Sequence, residues 1–163
     1  MTVDTSKKTH RLDQQLARWL DEHRNLDAEL NQFLKRTSAV HWPTEIQLLG
    51  IRSMLDRLSE NLDAHFACEE QLIDELVAAR SGNSTPEIEA VRRQSARDNL
   101  AVQSRVRTVR ELLCDPLRAR HSWTEIKVEL HLIADLLEQH EEQERNSIAW
   151  LRPRNGSSQA FRA

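Results

Sequence analysis

Two histidine–glutamate pairs stand at positions where amphipathic helices normally carry apolar side chains. His65 precedes Glu69 by four residues, and His140 precedes Glu144 by the same spacing. Because four residues make about one helical turn, both members of each pair lie on one face and can reach the same centre. Imidazole nitrogen and carboxylate oxygen together are ligands that suit iron, manganese or zinc. A third histidine, His23, lies on a similar apolar stripe.

The number of these polar residues separates two interpretations. A single histidine on an apolar face is more often a hydrogen-bonded core residue than a ligand. Three imidazoles and two carboxylates at one level of a core would each cost several kcal/mol if unpaired, so something must neutralise them. A metal ion would do so, and the alternative is a closed His–Glu hydrogen-bond network without metal. We predict a metal site formed by His23, His65, Glu69, His140 and Glu144.

Four long amphipathic helices must position these side chains. Apolar residues recur along each of them at alternating three- and four-residue steps, which indicates the seam of a bundle. The helices are predicted over approximately residues 9–35, 43–80, 86–114 and 122–151. Pro43 suits the first turn of the second helix, and Pro116 cannot continue the third.

Capping signals mark two of the helix starts. Thr85 can cap the third helix, with Pro86 in its first position. Ser122 and Glu125 have the spacing of a capping box at the start of the fourth helix. The segments outside the helices, residues 1–8 and 152–163, are predicted to be disordered tails.

Composition supports a single all-α domain. The 163 residues include 3 Gly, 4 Pro and no Tyr, and 30% of them are charged. Such a chain is long enough for one core and has few of the residues that form turns between strands. We predict an antiparallel up-down-up-down four-helix bundle over residues 9–151. Cys68 and Cys114 fall on different helices far apart along the bundle, so both are predicted to be reduced thiols.

Charge and hydropathy exclude two classes of partner. The net charge of -3 offers no electrostatic reason for binding nucleic acid or an anionic membrane. The sequence contains no run of about eighteen apolar residues and no hydrophobic segment behind its N-terminal lysines. We therefore expect a cytoplasmic protein with no membrane or nucleic-acid partner.

The sequence resembles the hemerythrin-like, or HHE cation-binding, domains over about residues 12–151. The segment LDEHRNLDAELNQFL is similar to the first-helix motif and contains His23. HFACEEQLIDEL is similar to the second-helix motif, with His65 and Glu69, and LLEQHEEQERNSIAWL to the fourth, with His140 and Glu144. The resemblance implies an antiparallel four-helix bundle that holds a non-haem di-iron centre, with histidines as terminal ligands and carboxylates bridging the irons.

The third helix departs from the family pattern. The family has at least one histidine there, whereas RRQSARDNLAVQSRVRTVREL has none. The spacing to Val102 and Val106 indicates that Asn99 occupies the position of the family's third-helix histidine, with Asp98 beside it. Three imidazole nitrogens and four carboxylate oxygens make about seven donors, fewer than two six-coordinate irons require. The site is therefore an unsaturated di-iron centre, a single-metal site or a relic, and Asp98 and Asn99 are candidate additional ligands.

The ligand set and the resemblance together predict a non-haem iron protein that binds or senses a small ligand, either O2, NO or peroxide. No general base, nucleophile or substrate cleft accompanies the ligands, so a binding protein is expected rather than an enzyme. Two alternatives stay open: a metal-free helical protein-interaction module on a degenerate scaffold, and an iron-dependent oxidase or peroxidase. A sensor would also need a protein partner, and no pattern in the sequence indicates an oligomeric state.

Overall fold

Helices account for every regular element in the described part of the chain. The computed structural model describes residues 3–80 and 85–152, with side chains described from residue 10 to 79 and from 85 to 152. The helices are α1 (Val3–Ser38), α2 (Glu45–Arg80), α3 (Pro86–Leu112), α4 (Pro116–His121) and α5 (Trp123–Leu151). The described residues contain no strand, which confirms the all-α prediction.

The ends of the chain differ in part from the predicted tails. Helix α1 begins at Val3, six residues before the predicted start, so residues 3–8 are helical and not part of a disordered tail. These residues include neither Gly nor Pro, so no residue in this segment terminates the helix. Arg152 is the C-cap of α5. The remaining predicted tail residues, 1–2 and 153–163, lie outside the described part of the chain.

Helix α2 begins two residues later than predicted, because a capping box forms at Thr44. The Thr44 hydroxyl accepts a hydrogen bond from the Gln47 backbone N–H at 3.3 Å, and the Gln47 side-chain oxygen accepts one from the Thr44 N–H at 2.9 Å. This exchange satisfies two backbone donors at the helix terminus. Pro43 therefore precedes the cap and does not occupy the first helical turn.

The connection between α3 and α5 contains a short helix that sequence reasoning missed. Asp115 caps α4, because its carboxylate accepts hydrogen bonds from the backbone N–H groups of Leu117 and Arg118. The Asp115-Pro116 pair, predicted only to end α3, is also an N-cap followed by a first-position proline. Ser122 then ends α4 and begins α5.

The predicted capping box at Ser122 is wrong, whereas the predicted Thr85 cap is confirmed. Ser122 has φ −93° and ψ 17°, and its side chain makes no capping hydrogen bond to the described backbone. As the C-cap of α4, Ser122 is held near a helical conformation. An N-cap residue normally has extended backbone, from which its hydroxyl reaches the N–H groups of the first turn. Thr85 has that extended conformation, and its side chain accepts from the Ile88 N–H.

The four long helices pack against one another. Helix α1 packs against α2, α3 against α5, α2 against α3 and α1 against α5. The short α4 packs against α5 and α2. The up-down-up-down order of the long helices stays a prediction. Cys68 is buried and Cys114 is exposed, and both are free thiols as predicted.

Buried apolar side chains form two clusters and not one continuous core. The larger cluster contains Phe33, Leu58 and Leu130, and the smaller one contains Trp19 and Leu151. Each cluster draws side chains from all four long helices, because each helix carries its apolar stripe on both sides of a polar interruption. In the described helices, none is both long and apolar enough to cross a bilayer.

Candidate metal centre

All five residues that the sequence singled out lie together in the interruption between the two apolar clusters. Helix α1 supplies one of them, and α2 and α5 supply two each. Their exposed fractions are between 1% and 7%, so the charged and polar groups are nearly sealed from water. We call the polar layer the set His23, His65, Glu69, His140 and Glu144.

The first group in the polar layer consists of His23, His65 and Glu144. The Nε2 atom of His23 lies 2.9 Å from Glu144 Oε2, and the Nε2 atom of His65 lies 3.7 Å from the same oxygen. His23 Nδ1 lies 2.9 Å from the Trp19 carbonyl oxygen. Because a carbonyl can only accept, Nδ1 carries a proton and Nε2 is the nitrogen directed at the carboxylate.

The second group consists of Glu69, His140 and Glu144. The Nε2 atom of His140 lies 3.6 Å from Glu69 Oε2 and 3.7 Å from Glu144 Oε2. It is buried and has no hydrogen-bond partner among the described residues. An unpaired imidazole nitrogen between two carboxylate oxygens would be costly in a sealed interior, and a cation between these atoms would remove the cost.

The two groups share Glu144, and each has the compactness of a metal site. In each group, one ligand atom from every residue lies within 4.8 Å of the others. The donors are imidazole nitrogen and carboxylate oxygen, which iron, manganese and zinc accept. The residues present therefore fit a cation, on the evidence of their donor types and of the unpaired nitrogen of His140.

Burial and mutual charge move the pKa values of these residues apart. Burial raises the pKa of the Glu69 carboxyl, the charge of Glu144 adds to the effect, and together they bring it to about 7. Burial opposes ionisation of Glu144 as well, but His23 and His65 outweigh it and lower that pKa to about 2. Without a metal, Glu144 is therefore ionised at neutral pH, whereas Glu69 retains its proton more readily than an ordinary carboxyl group.

The histidines follow the same logic. Burial opposes the charged form of His23, but the hydrogen bond and charge of Glu144 prevail and raise its pKa. Burial lowers the pKa of His140, so this imidazole favours the neutral form that binds metals.

Sequence reasoning did not assign Trp19 to the site. Its indole Nε1–H donates a hydrogen bond to Glu144 Oε1, and its ring meets that of His23 edge-on with 4.4 Å between ring centroids. The sequence feature that could have indicated this role is the position of Trp19 on the apolar stripe of α1, one turn before His23. A buried indole N–H must find an acceptor, and in this layer the acceptor is a carboxylate.

Glu22 was also missed. Its Oε2 atom lies 3.7 Å from His65 Nδ1 and, within the described structure, has no hydrogen-bond partner. The other oxygen accepts from Arg18 Nε at 2.7 Å. Glu22 belongs to the edge of α1 and not to its stripe, so no periodicity in the sequence indicated it.

The two candidate additional ligands on α3 occupy different places. Asn99 enters the polar layer, where its Nδ2 donates to Glu69 Oε2 at 3.1 Å. It therefore acts as a hydrogen-bond donor to a carboxylate in this arrangement. Asp98 accepts from Gln94 Nε2 at 2.9 Å and 3.1 Å and belongs to neither compact group.

Comparison with known proteins agrees with this geometry. The family model described as Hemerythrin HHE cation binding domain matches residues 14–149, a span that contains the whole polar layer. Searches of curated proteins and of solved structures returned no match. The match confirms the resemblance drawn from the helix motifs, and the chain belongs to the hemerythrin HHE cation-binding domain family.

Proposed function

We propose that this is a non-haem iron protein that binds or senses a small ligand, with His23, His65, Glu69, His140 and Glu144 holding the metal. The observation that carries the proposal is the pair of compact ligand groups that share Glu144 in a sealed layer. Membership of a cation-binding family supports it independently. Bound iron would supply the redox chemistry and the small-ligand binding that these side chains lack.

Two irons are favoured over one because Glu144 belongs to both groups. The Oε2 atom of Glu144 faces the histidines of both groups, so this carboxylate is placed between two cations, and Glu69 adds a second carboxylate on the side of His140. The remaining donors divide evenly, with His23 and His65 on one side and Glu69 and His140 on the other. A single ion in one group is the competing stoichiometry.

The distribution of apolar residues supports the bundle topology expected of this family. Along α1 and α3, the larger apolar cluster follows the level of the polar layer. Along α2 and α5, the same cluster precedes it. Helices that meet one cluster in alternating order alternate in direction, so we propose an up-down-up-down arrangement of the long helices, with α4 as an insertion before the last.

An apolar wall favours a small, weakly polar ligand. The ring of Phe66 lies 5.9 Å from that of His65 and 5.7 Å from that of His140, measured between centroids. The larger apolar cluster, which contains Phe66, borders the layer and limits access of water. This environment is compatible with O2, NO or peroxide as the ligand, in a cytoplasmic protein that would signal through a separate protein partner if it is a sensor.

The first experiment measures metal content per chain by mass spectrometry, with the visible spectrum, on protein from iron-supplemented cells. We expect near two irons per chain and absorption typical of bridged ferric ions. His140→Ala should lose metal, whereas His131→Ala, an exposed histidine on the same helix, should not. About one iron would replace the di-iron proposal with a mononuclear site, and no metal after anaerobic ferrous loading would refute both.

The metal-free interaction module predicts a different thermal behaviour. Several layer atoms are satisfied without metal, since Trp19 and His23 both contact Glu144 and Asn99 donates to Glu69. If that network is the functional state, chelator leaves the thermal midpoint unchanged, because no bound ion stabilises the native state. An iron protein loses stability on chelation.

A further inference from the structure

A cavity of about 430 Å³ lies between α3 and α5 and reaches the polar layer. Its inner end consists of Glu69, His140 and Glu144, the three members of the second group. The described part of α1 contributes no residue to its lining, so the cavity approaches the layer from the side opposite His23. We call this space the α3–α5 cavity.

Small side chains line part of the cavity on both α3 and α5. Ala90 and Ser95 line the cavity from α3, and Ser147 lines it from α5. At the level of the layer, α3 has Asn99, whose amide donates to Glu69, and not a larger imidazole. The helix that lacks the histidine of the family pattern is therefore also the helix that lines the cavity beside the buried second group.

The walls combine apolar and polar side chains in a way that suits an organic molecule. Ile73, Val91 and Ile148 provide apolar surface. Gln94 and Gln143 provide amides, and Asp98 adds a carboxylate to the α3 wall. A volume of about 430 Å³ falls inside the range of ~300–1,000 Å³ typical of small-molecule sites. It exceeds what a diatomic ligand needs.

One buried nitrogen of the second group has no hydrogen-bond partner among the described residues. His140 is 2% exposed, and its Nε2 has no hydrogen-bond partner in the described structure. This nitrogen and the two carboxylates would hold a cation at the inner end of the cavity. A molecule in the cavity can then place an oxygen or nitrogen donor against that cation while its body contacts the apolar walls.

We propose that the α3–α5 cavity binds an organic ligand of about the size of one aromatic ring, which carries a single metal-binding oxygen or nitrogen. The proposal rests on the proposed function, since the donor atom is directed at a metal held by Glu69, His140 and Glu144. It adds a binding site for a ligand larger than O2, NO or peroxide. The ligand reaches the layer between α3 and α5.

The test compares a ring-sized probe with a small one. Phenol and azide are titrated into the ferric iron-loaded protein; phenol releases its proton to the buffer and binds as phenolate. Binding is followed by the visible charge-transfer band that phenolate and azide each produce on ferric iron. Iron content is measured in every sample. Ser147→Phe narrows the cavity from α5, and Val91→Phe narrows it from α3, because both positions line the cavity and are half-buried. Ala149→Phe, at an exposed position on α5 outside the lining, is the matched control.

Phenol and azide should both bind the wild-type protein. Ser147→Phe and Val91→Phe should each weaken phenol binding by roughly tenfold, because the added ring overfills the site, and leave azide binding unchanged. Ala149→Phe should change neither. A phenol titration without a band in protein that binds azide would overturn the inference alone, as would phenol affinities unaffected by both cavity variants. Protein that holds no iron would overturn the proposed function as well, and the iron measurement distinguishes this case.

Discussion

The indole of Trp19 on α1 donates a hydrogen bond to the carboxylate of Glu144 on α5. The other oxygen of that carboxylate lies 2.9 Å from the imidazole of His23, one turn further along α1. Both side chains on α1 therefore orient the residue that the two ligand groups share. A first-helix residue outside the ligand set holds the carboxylate in place, which is the role that neighbours of metal ligands commonly have.

Trp19→Phe should remove a hydrogen bond from the polar layer while an aromatic ring still fills the buried position. The ring remains, but Glu144 Oε1 loses a donor in a buried position. We expect a loss of about 1–3 kcal/mol in the free energy of unfolding of the metal-free protein, measured by urea denaturation, and faster loss of iron to a chelator. Trp42→Phe is the control, because Trp42 is 63% exposed and lies outside the layer. Equal effects of both variants would contradict the role assigned to Trp19.

The stability of the metal-free protein should depend on pH through Glu69. Its pKa is raised from 4.5 to about 7 in the folded chain. The folded state thus retains a proton that the unfolded state has lost, and the corresponding stability is present below pH 4.5 and disappears as pH rises through about 7. We expect the urea midpoint of the chelated protein to fall between about pH 5 and 7.

Glu69→Gln provides the control for this pH dependence. A neutral amide cannot ionise, so the fall attributed to Glu69 should diminish in this variant. The opposite sign holds for Glu144, whose pKa is lowered from 4.5 to about 2. Its contribution is present above pH 4.5 and is lost as pH decreases toward 2. If the urea midpoint of Glu69→Gln declines as much as that of the wild type between about pH 5 and 7, another group is responsible for the decline.

Asn99→His should strengthen metal binding. It places an imidazole on α3, at the level where Asn99 now contacts Glu69. An added ligand from a fourth helix should slow iron release to a chelator by roughly tenfold or more. Asn99→Leu, which removes the hydrogen bond and adds no ligand, should accelerate release. If both variants release iron at the wild-type rate, Asn99 has no influence on the site.

The two caps in the α3–α5 connection should respond differently to alanine. Asp115→Ala removes hydrogen bonds to the Leu117 and Arg118 N–H groups and should cost about 1 kcal/mol in the free energy of unfolding. Ser122→Ala removes a hydroxyl that makes no capping bond and should change stability by less than about 0.5 kcal/mol. Thermal or urea denaturation of the two single variants compares them directly. A larger loss of stability for Ser122→Ala than for Asp115→Ala would indicate that Ser122 does form the predicted capping box.

The sequence by itself determined the helical class, the polar layer and the family. Each of these depends on local or periodic information. Apolar residues at helical spacing mark the buried face of each helix, so the positions of His23, His65 and Glu144 on these stripes are enough to predict that their side chains face inward. The Thr85 cap was correct for the same reason, because an N-cap bond spans only three residues.

Only the tertiary structure decided which inward-facing atoms meet. The Trp19–Glu144 contact joins residues 125 positions apart, and no pattern within one helix predicts which oxygen an indole will reach. Helix rotation and register also place Glu22 beside His65. They decide that Asn99 contacts the polar layer while its neighbour Asp98 does not belong to either ligand group. The α3–α5 cavity depends on the same quantities, because an empty volume is defined by the packing of two helices and is encoded by neither alone.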